Sequence, residues 1–159
     1  EILKSVPDAH ILMVGQGPYL SHLKKLVQEL NLVDHVSFIG RIQYAQLPQY
    51  ICAGDIFAMP SRSRFFGLEV EGLGIVYLEA SACGLPVIAG SSGGAPDAVL
   101  VGVTGMVVDG ENNQEIAAGA IKLLQDLPAS KAMGLAGRAW IIENWRWKIW
   151  SDRFNKLLQ

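Results

Sequence analysis

No histidine follows position 35 in this sequence, and the chain holds only two cysteines, Cys52 and Cys83, with no CxxC pair. Both cysteines lie in apolar segments, which favours two reduced core thiols over a disulfide or a ligand pair. The three histidines, His10, His22 and His35, lack ligand spacing, so no protein metal site is expected. The missing downstream histidine also removes a serine hydrolase. Gly90-Ser91-Ser92-Gly93-Gly94 has the form of a nucleophile elbow, but the fold that uses one places its histidine after the serine. The loop is read instead as a turn lined by hydroxyls and amides. Charge is sparse too, at 18% of residues with a formal net charge of −2. That balance argues against an electrostatic nucleic-acid binder. Long apolar runs are broken by Glu79 or by glycine and proline, so no membrane-spanning stretch, signal peptide or transit peptide is visible.

What the chain does contain suits a single domain with one good core, since 50% of its 159 residues are hydrophobic. Short apolar runs at 9–14, 35–39, 56–59, 87–89 and 106–108 read as strands. Helical stripes are expected over 18–30, 44–53, 75–83, 95–100, 112–126, 128–144 and 147–158. Alternating strands and helices of this kind predict an α/β fold, a doubly wound parallel sheet covered on both faces. The sequence opens at Glu1 in what reads as the end of a helix, Ile2–Ser5, so a piece of a longer protein is expected. The tail from Trp140 to Gln159 differs in texture. Four tryptophans, Trp140, Trp145, Trp147 and Trp150, fall within eleven residues, interleaved with Arg146, Lys148 and Arg153 beyond them. A helix pair packing across the sheet or onto a neighbouring domain is the favoured reading. A membrane surface is the rival, since tryptophan and basic residues suit an interface, and Glu143 and Asp152 weigh against it.

Two glycine motifs compete for a ligand. Gly15-Gln16-Gly17 follows a strand and opens a helix, with Asp34 near the place of a ribose-binding acid. Leu20 replaces the third glycine of that dinucleotide fingerprint and Pro18 stiffens the turn, so a plain strand-to-helix turn is preferred. The second is the pair Glu71 and Glu79, separated by seven residues that open with Gly72-Leu73-Gly74. Bare glycines would let the backbone approach a ligand. The amides of Gly74, Ile75 and Val76 would be free donors at the positive end of a helix dipole, suited to a diphosphate. Glu79 falls one turn beyond Ile75, about 6 Å along the axis, which is close to the spacing of a phosphate and its ribose. A carboxylate among apolar neighbours is costly unless something hydrogen-bonds it, and vicinal ribose hydroxyls would. The bland alternative is that Glu79 pairs with a neighbouring group and Glu71 merely caps a helix.

The run Glu71-Gly-Leu-Gly-Ile-Val-Tyr-Leu-Glu79-Ala-Ser-Ala-Cys-Gly-Leu-Pro-Val-Ile-Ala resembles the acid-x7-acid signature of retaining GT-B glycosyltransferases of family 4. Val14-Gly-Gln-Gly, Val36-Ser-Phe-Ile-Gly-Arg41, Ala53-Gly-Asp-Ile-Phe-Ala-Met-Pro60, the Gly93-Gly94-Ala-Pro loop and Gly102-Val-Thr-Gly-Met-Val-Val continue the likeness in order. The wording from Gly67 to Glu79 is similar to that of bacterial GDP-mannose-dependent phosphatidylinositol-mannoside α-mannosyltransferases. The resemblance implies the C-terminal, Rossmann-like donor-binding domain of a GT-B enzyme, over residues 1–139. Helices 140–159 would cross to an N-terminal acceptor domain that this sequence lacks. It implies that the catalytic residue Glu71 contacts the hydroxyls of the transferred sugar and helps hold it for front-face attack with retention, and that Leu73, Gly74, Ile75 and Val76 supply amides to sugar and diphosphate. Glu79 would bind the ribose, and Arg41 and Ile42 would line the base pocket. No metal and no cofactor beyond the nucleotide-sugar donor is implied, and no nucleic acid partner. A cytoplasmic enzyme is expected, with peripheral association at the inner face of the membrane as a further expectation. This fragment alone should transfer nothing, because the family's phosphate-binding arginine and lysine belong to an upstream stretch absent here. Arg62 and Arg64 offer no spacing argument in their place. A UDP-glucose-type donor, or a non-catalytic nucleotide-sugar-binding module, would be the rival readings.

Overall fold

The computed structural model describes residues 1–158. In chain order the elements are α1 (Ile2–Ser5), β1 (Ile11–Val14), α2 (Leu20–Glu29), β2 (Val36–Gly40), α3 (Leu47–Ile51), β3 (Phe57–Met59), α4 (Ile75–Ala82), β4 (Val87–Gly90), β5 (Gly105–Val108), α5 (Asn113–Gln125), α6 (Leu127–Asn144) and α7 (Trp147–Leu157). All five strands pair in parallel, in two ladders: β1 with β2, and β4 between β3 and β5. The alternation of strand and helix is therefore as expected, but among the described residues the strands form two parallel sheets rather than one. β4 is buried at every position, as a parallel strand flanked on both sides should be. In β1, by contrast, Ile11, Leu12 and Met13 remain 53%, 39% and 37% exposed, and among the described residues only β2 pairs with it. β1 has the composition of an interior strand and the surroundings of an edge.

Several boundaries move for local reasons. The expected helix 44–53 divides into a 3-10 turn at Tyr44–Gln46 and the short α3. Pro48 lies in the first turn of α3, where a missing N–H breaks no intrahelical bond. Residues 95–98 form a 3-10 turn rather than the start of a helix to Leu100, and His35 closes a 3-10 turn before β2. Asn112 and Asp126 cap α5 and α6, each accepting first-turn amides at 3.1 Å.

The core gathers around α4 and β4. Tyr77 is fully buried, and its hydroxyl donates to the Met59 carbonyl at 2.7 Å and lies 2.8 Å from Ser61 Oγ. Desolvation is the main cause that raises its phenol above the ordinary value. α6 crosses α4 closely, with buried Gly134 and Gly137 at the contact. Cys52 is exposed and only Cys83 is partly buried, so the expected pair of core thiols is corrected to one. Both are free, and burial, then the Cys52 thiol beside it, pushes Cys83 up to about 11.

No residue of α7 is buried. Its tryptophan tail folds on itself: the Trp140, Trp145 and Trp150 rings follow at 5.7 and 5.6 Å, and Trp150 Nε1 donates to the Asn144 carbonyl at 3.0 Å. Trp147, Phe154, Leu157 and Leu158 stay in solvent. The last residue of the expected crossing segment, Gln159, lies outside the described residues. No helix among the described residues is long and apolar enough to cross a membrane.

Candidate functional site

Glu71 to Val76 form a corner that the 90–94 loop holds from beneath. The Glu71 amide donates to Ser92 Oγ at 3.1 Å, and the Gly94 amide donates to the Glu71 carbonyl at 3.0 Å. Ser92 is buried and its hydroxyl also meets Ser63 Oγ at 3.1 Å. A Cβ on Gly93 would lie 2.1 Å from the Glu71 carbonyl oxygen, and one on Gly94 the same distance from that of Gly72. Two bare residues in succession are thus required by backbone contact. The serine-glycine loop is the foundation of the acidic turn, which agrees with its reading as a hydroxyl- and amide-lined element rather than a nucleophile elbow.

Gly74 closes the turn at φ +71°, a left-handed conformation that glycine adopts without strain. A second reason for its bareness comes from the core. A Cβ there would come within 2.3 Å of the Tyr77 ring, so the position is emptied by core packing, whereas at Gly72 the space is open. The Tyr77 amide takes the Gly74 carbonyl at 2.9 Å. Gly74, Ile75 and Val76 thus carry the helix-start amides that have no partner within the helix, at the positive end of α4. Ile75 is 62% exposed, so the approach to them is open.

Glu79 differs from expectation in its surroundings. α4 buries Tyr77, Ala80 and Ser81, and that leaves Glu79 half-buried on the other face, one turn from exposed Ile75. Burial therefore does not demand a ligand for it. Its Oε1 accepts a hydrogen bond from the Tyr44 hydroxyl at 2.8 Å. That bond, then the carboxylate charge, raises the Tyr44 phenol above its ordinary value, so it remains a donor. Tyr44 is itself 78% exposed, so the partner of Glu79 is a surface side chain. Sequence reasoning missed Tyr44 and gave no role to Ser92 or Tyr77. The only available signal for Ser92 was its place in a glycine-flanked loop.

Arg41 and Ile42 come together with Ile39, Gln43, Gln46 and Tyr50 around an open groove of about 460 Å³. Tyr44, in the turn between the lining residues Gln43 and Gln46, reaches Glu79. A second groove runs along Arg62–Gly67 to Glu111. Arg64 there turns to Glu69 at 3.5 Å and lies over the Phe65 ring. Neither groove is walled by Glu71 or Glu79. Among the described residues no cluster of three or more potential metal-ligating side chains occurs.

The chain as a whole has relatives among known proteins. A GDP-mannose-dependent alpha-(1-6)-phosphatidylinositol monomannoside mannosyltransferase of Mycolicibacterium smegmatis is 49% identical over 99% of this chain and 41% of its own length. A related enzyme of Corynebacterium glutamicum, specific in name for the monoacylated lipid, is 46% identical over 100% of this chain and again 41% of its own. The chain thus spans about two-fifths of the length of these curated relatives. Among solved structures, sucrose-phosphate synthase from Thermosynechococcus elongatus matches with a TM-score of 0.86 at 29% identity, over 99% of this chain and 39% of that one. HepE of Anabaena, solved with UDP, matches in fold with a TM-score of 0.83 at 24% identity, over 99% of this chain and 43% of that one. The family model of the glycosyl transferases group 1 matches residues 1–140, and the chain belongs to that family.

Proposed function

We propose that this chain is the donor-binding part of a retaining mannosyltransferase that uses GDP-mannose. The observation that carries the reading is the braced corner: Ser92, Gly93 and Gly94 fix Glu71 and Gly72 directly ahead of the unpaired amides of α4. The relatives named for GDP-mannose and for phosphatidylinositol mannosides support the donor and suggest a lipid acceptor. On this reading the diphosphate lies against the amides of Leu73 to Val76, where dipole and donors favour an anion. Glu79 takes the ribose hydroxyls, and the groove at Arg41 and Ile42 takes the base. Glu71 holds hydroxyls of the mannose. The bond from the sugar C1 to the β-phosphate oxygen breaks, and the departing diphosphate carries away the electron pair. An acceptor hydroxyl forms the new bond on the same face, which retains the configuration, and passes its proton to the departing diphosphate oxygen. Positioning and stabilisation of charge supply the rate, so preorganised donors matter more than acid–base groups. The acceptor would be held by the rest of the protein, and α7, unburied here, would pack against that part.

Calorimetry on the full-length protein with GDP, UDP and NAD tests the donor. Binding of GDP at least about tenfold tighter than UDP, a margin of roughly one base-specific hydrogen bond to a charged group, is expected. A preference for UDP would replace the donor, and a preference for NAD would remove transferase chemistry.

A further inference from the structure

Tyr44 is placed in a way that packing does not explain. It stands in a short turn held by reciprocal bonds of Gln43 and Gln46, the Gln43 amide donating to Gln46 Oε1 at 3.2 Å. From there its hydroxyl reaches Glu79 Oε1, 35 positions away, at 2.8 Å. With 78% of the residue in solvent, little apolar area is gained by holding the ring there. A half-exposed glutamate on a helix surface otherwise samples several rotamers, and a diol can be gripped by both oxygens only in a narrow range of them. A carboxylate offers about four acceptor sites, so one taken by a phenol leaves enough for two hydroxyls.

We propose that Tyr44 is a positioning residue for ribose: its hydroxyl holds the Glu79 carboxylate in the orientation that accepts a vicinal diol of the bound nucleotide. The inference rests on the reading of Glu79 as the ribose-binding acid and adds to it a residue that no sequence motif marks. The turn that carries Tyr44 also carries the groove of Arg41 and Ile42, so base and ribose recognition are coupled through one short segment.

The test is to titrate the full-length protein and its Tyr44→Phe variant with GDP and with 2′-deoxy-GDP. Phenylalanine keeps the ring and removes only the hydroxyl, and an unchanged thermal midpoint is expected for so exposed a site. The unaltered protein should prefer GDP about tenfold, the worth of one hydrogen bond to a charged group. In Tyr44→Phe the preference should shrink to about threefold or less, through weaker GDP binding, with 2′-deoxy-GDP nearly unaffected. Equal binding of the two nucleotides by the unaltered protein, or binding of neither, overturns the ribose reading and this proposal with it. A tenfold preference that survives in Tyr44→Phe leaves Glu79 in its role and overturns the proposal alone. Tighter binding of GDP by the variant would also overturn it, since the phenol would then be a competitor that the ribose displaces.

Discussion

Replacing Glu71 with glutamine in the full-length protein is expected to slow transfer about 10²- to 10³-fold while GDP affinity stays within about threefold. Glutamine matches glutamate in volume and removes the charge. The frame of the corner does not depend on the carboxylate: Ser92 Oγ takes the Glu71 amide and the Gly94 amide takes its carbonyl, both main-chain groups. The side chain itself makes one bond within the turn, accepting the Gly72 amide at 3.2 Å. A fall in kcat with nucleotide binding preserved therefore isolates contact with the transferred sugar as positive charge develops on it. Steady-state kinetics with GDP-mannose and a phosphatidylinositol-mannoside acceptor, alongside GDP calorimetry, separates the two. An unchanged kcat would place Glu71 outside the reaction, and a loss of GDP affinity equal to the loss of rate would mean that the corner had collapsed.

Gly134→Ala should destabilise the protein by about 3 kcal/mol, at the upper end of ordinary overpacking costs, although the same change in an exposed helix stabilises by about 1 kcal/mol. A Cβ at Gly134 would lie 1.9 Å from the Gly84 carbonyl oxygen, and a backbone atom cannot swing aside. α6 would have to lift from α4, whose first turn carries the proposed diphosphate site. One turn further along the same helix, Gly137 offers the control. Its Cβ would meet Ser81 Cβ at 3.4 Å and Thr104 Cβ at 3.5 Å, which is ordinary contact. Gly137→Ala should thus lie within about 1 kcal/mol of the original, on the stabilising side. Urea unfolding of the two variants decides it. Equal midpoints would show that the close crossing of α4 and α6 is not a constraint on the fold.

Much of the framework was legible because its signals are local. Val87–Gly90 follows Pro86 and is apolar throughout, and it is the buried middle strand. Gly74 sits just before a helical run and does end the turn there. Signals that fail are those needing a second segment. In Ile75–Ala82 nearly every residue is apolar, so the sequence alone could not say which face Glu79 occupies. The burial of Tyr77 and Ala80 decides it, and the acid is left half-exposed. Tyr44 meets Glu79 across 35 positions, and the bareness of Gly74 answers at least to a buried ring that its own neighbours in sequence do not announce. The exposed Ile11, Leu12 and Met13 of β1 are a case of the opposite kind. Their composition announces an interior strand, whereas among the described residues only β2 pairs with β1 and these side chains stay exposed. Ser92 was visible as a serine between glycines, but its work on Glu71 depends on a loop 21 positions earlier.

The most direct measurement is a crystal structure of the full-length protein with GDP-mannose bound. The account predicts diphosphate oxygens within hydrogen-bonding distance of the Ile75 and Val76 amides, the ribose diol on Glu79 and the mannose beside Glu71. A nucleotide seated elsewhere, with the start of α4 facing only solvent, would contradict it.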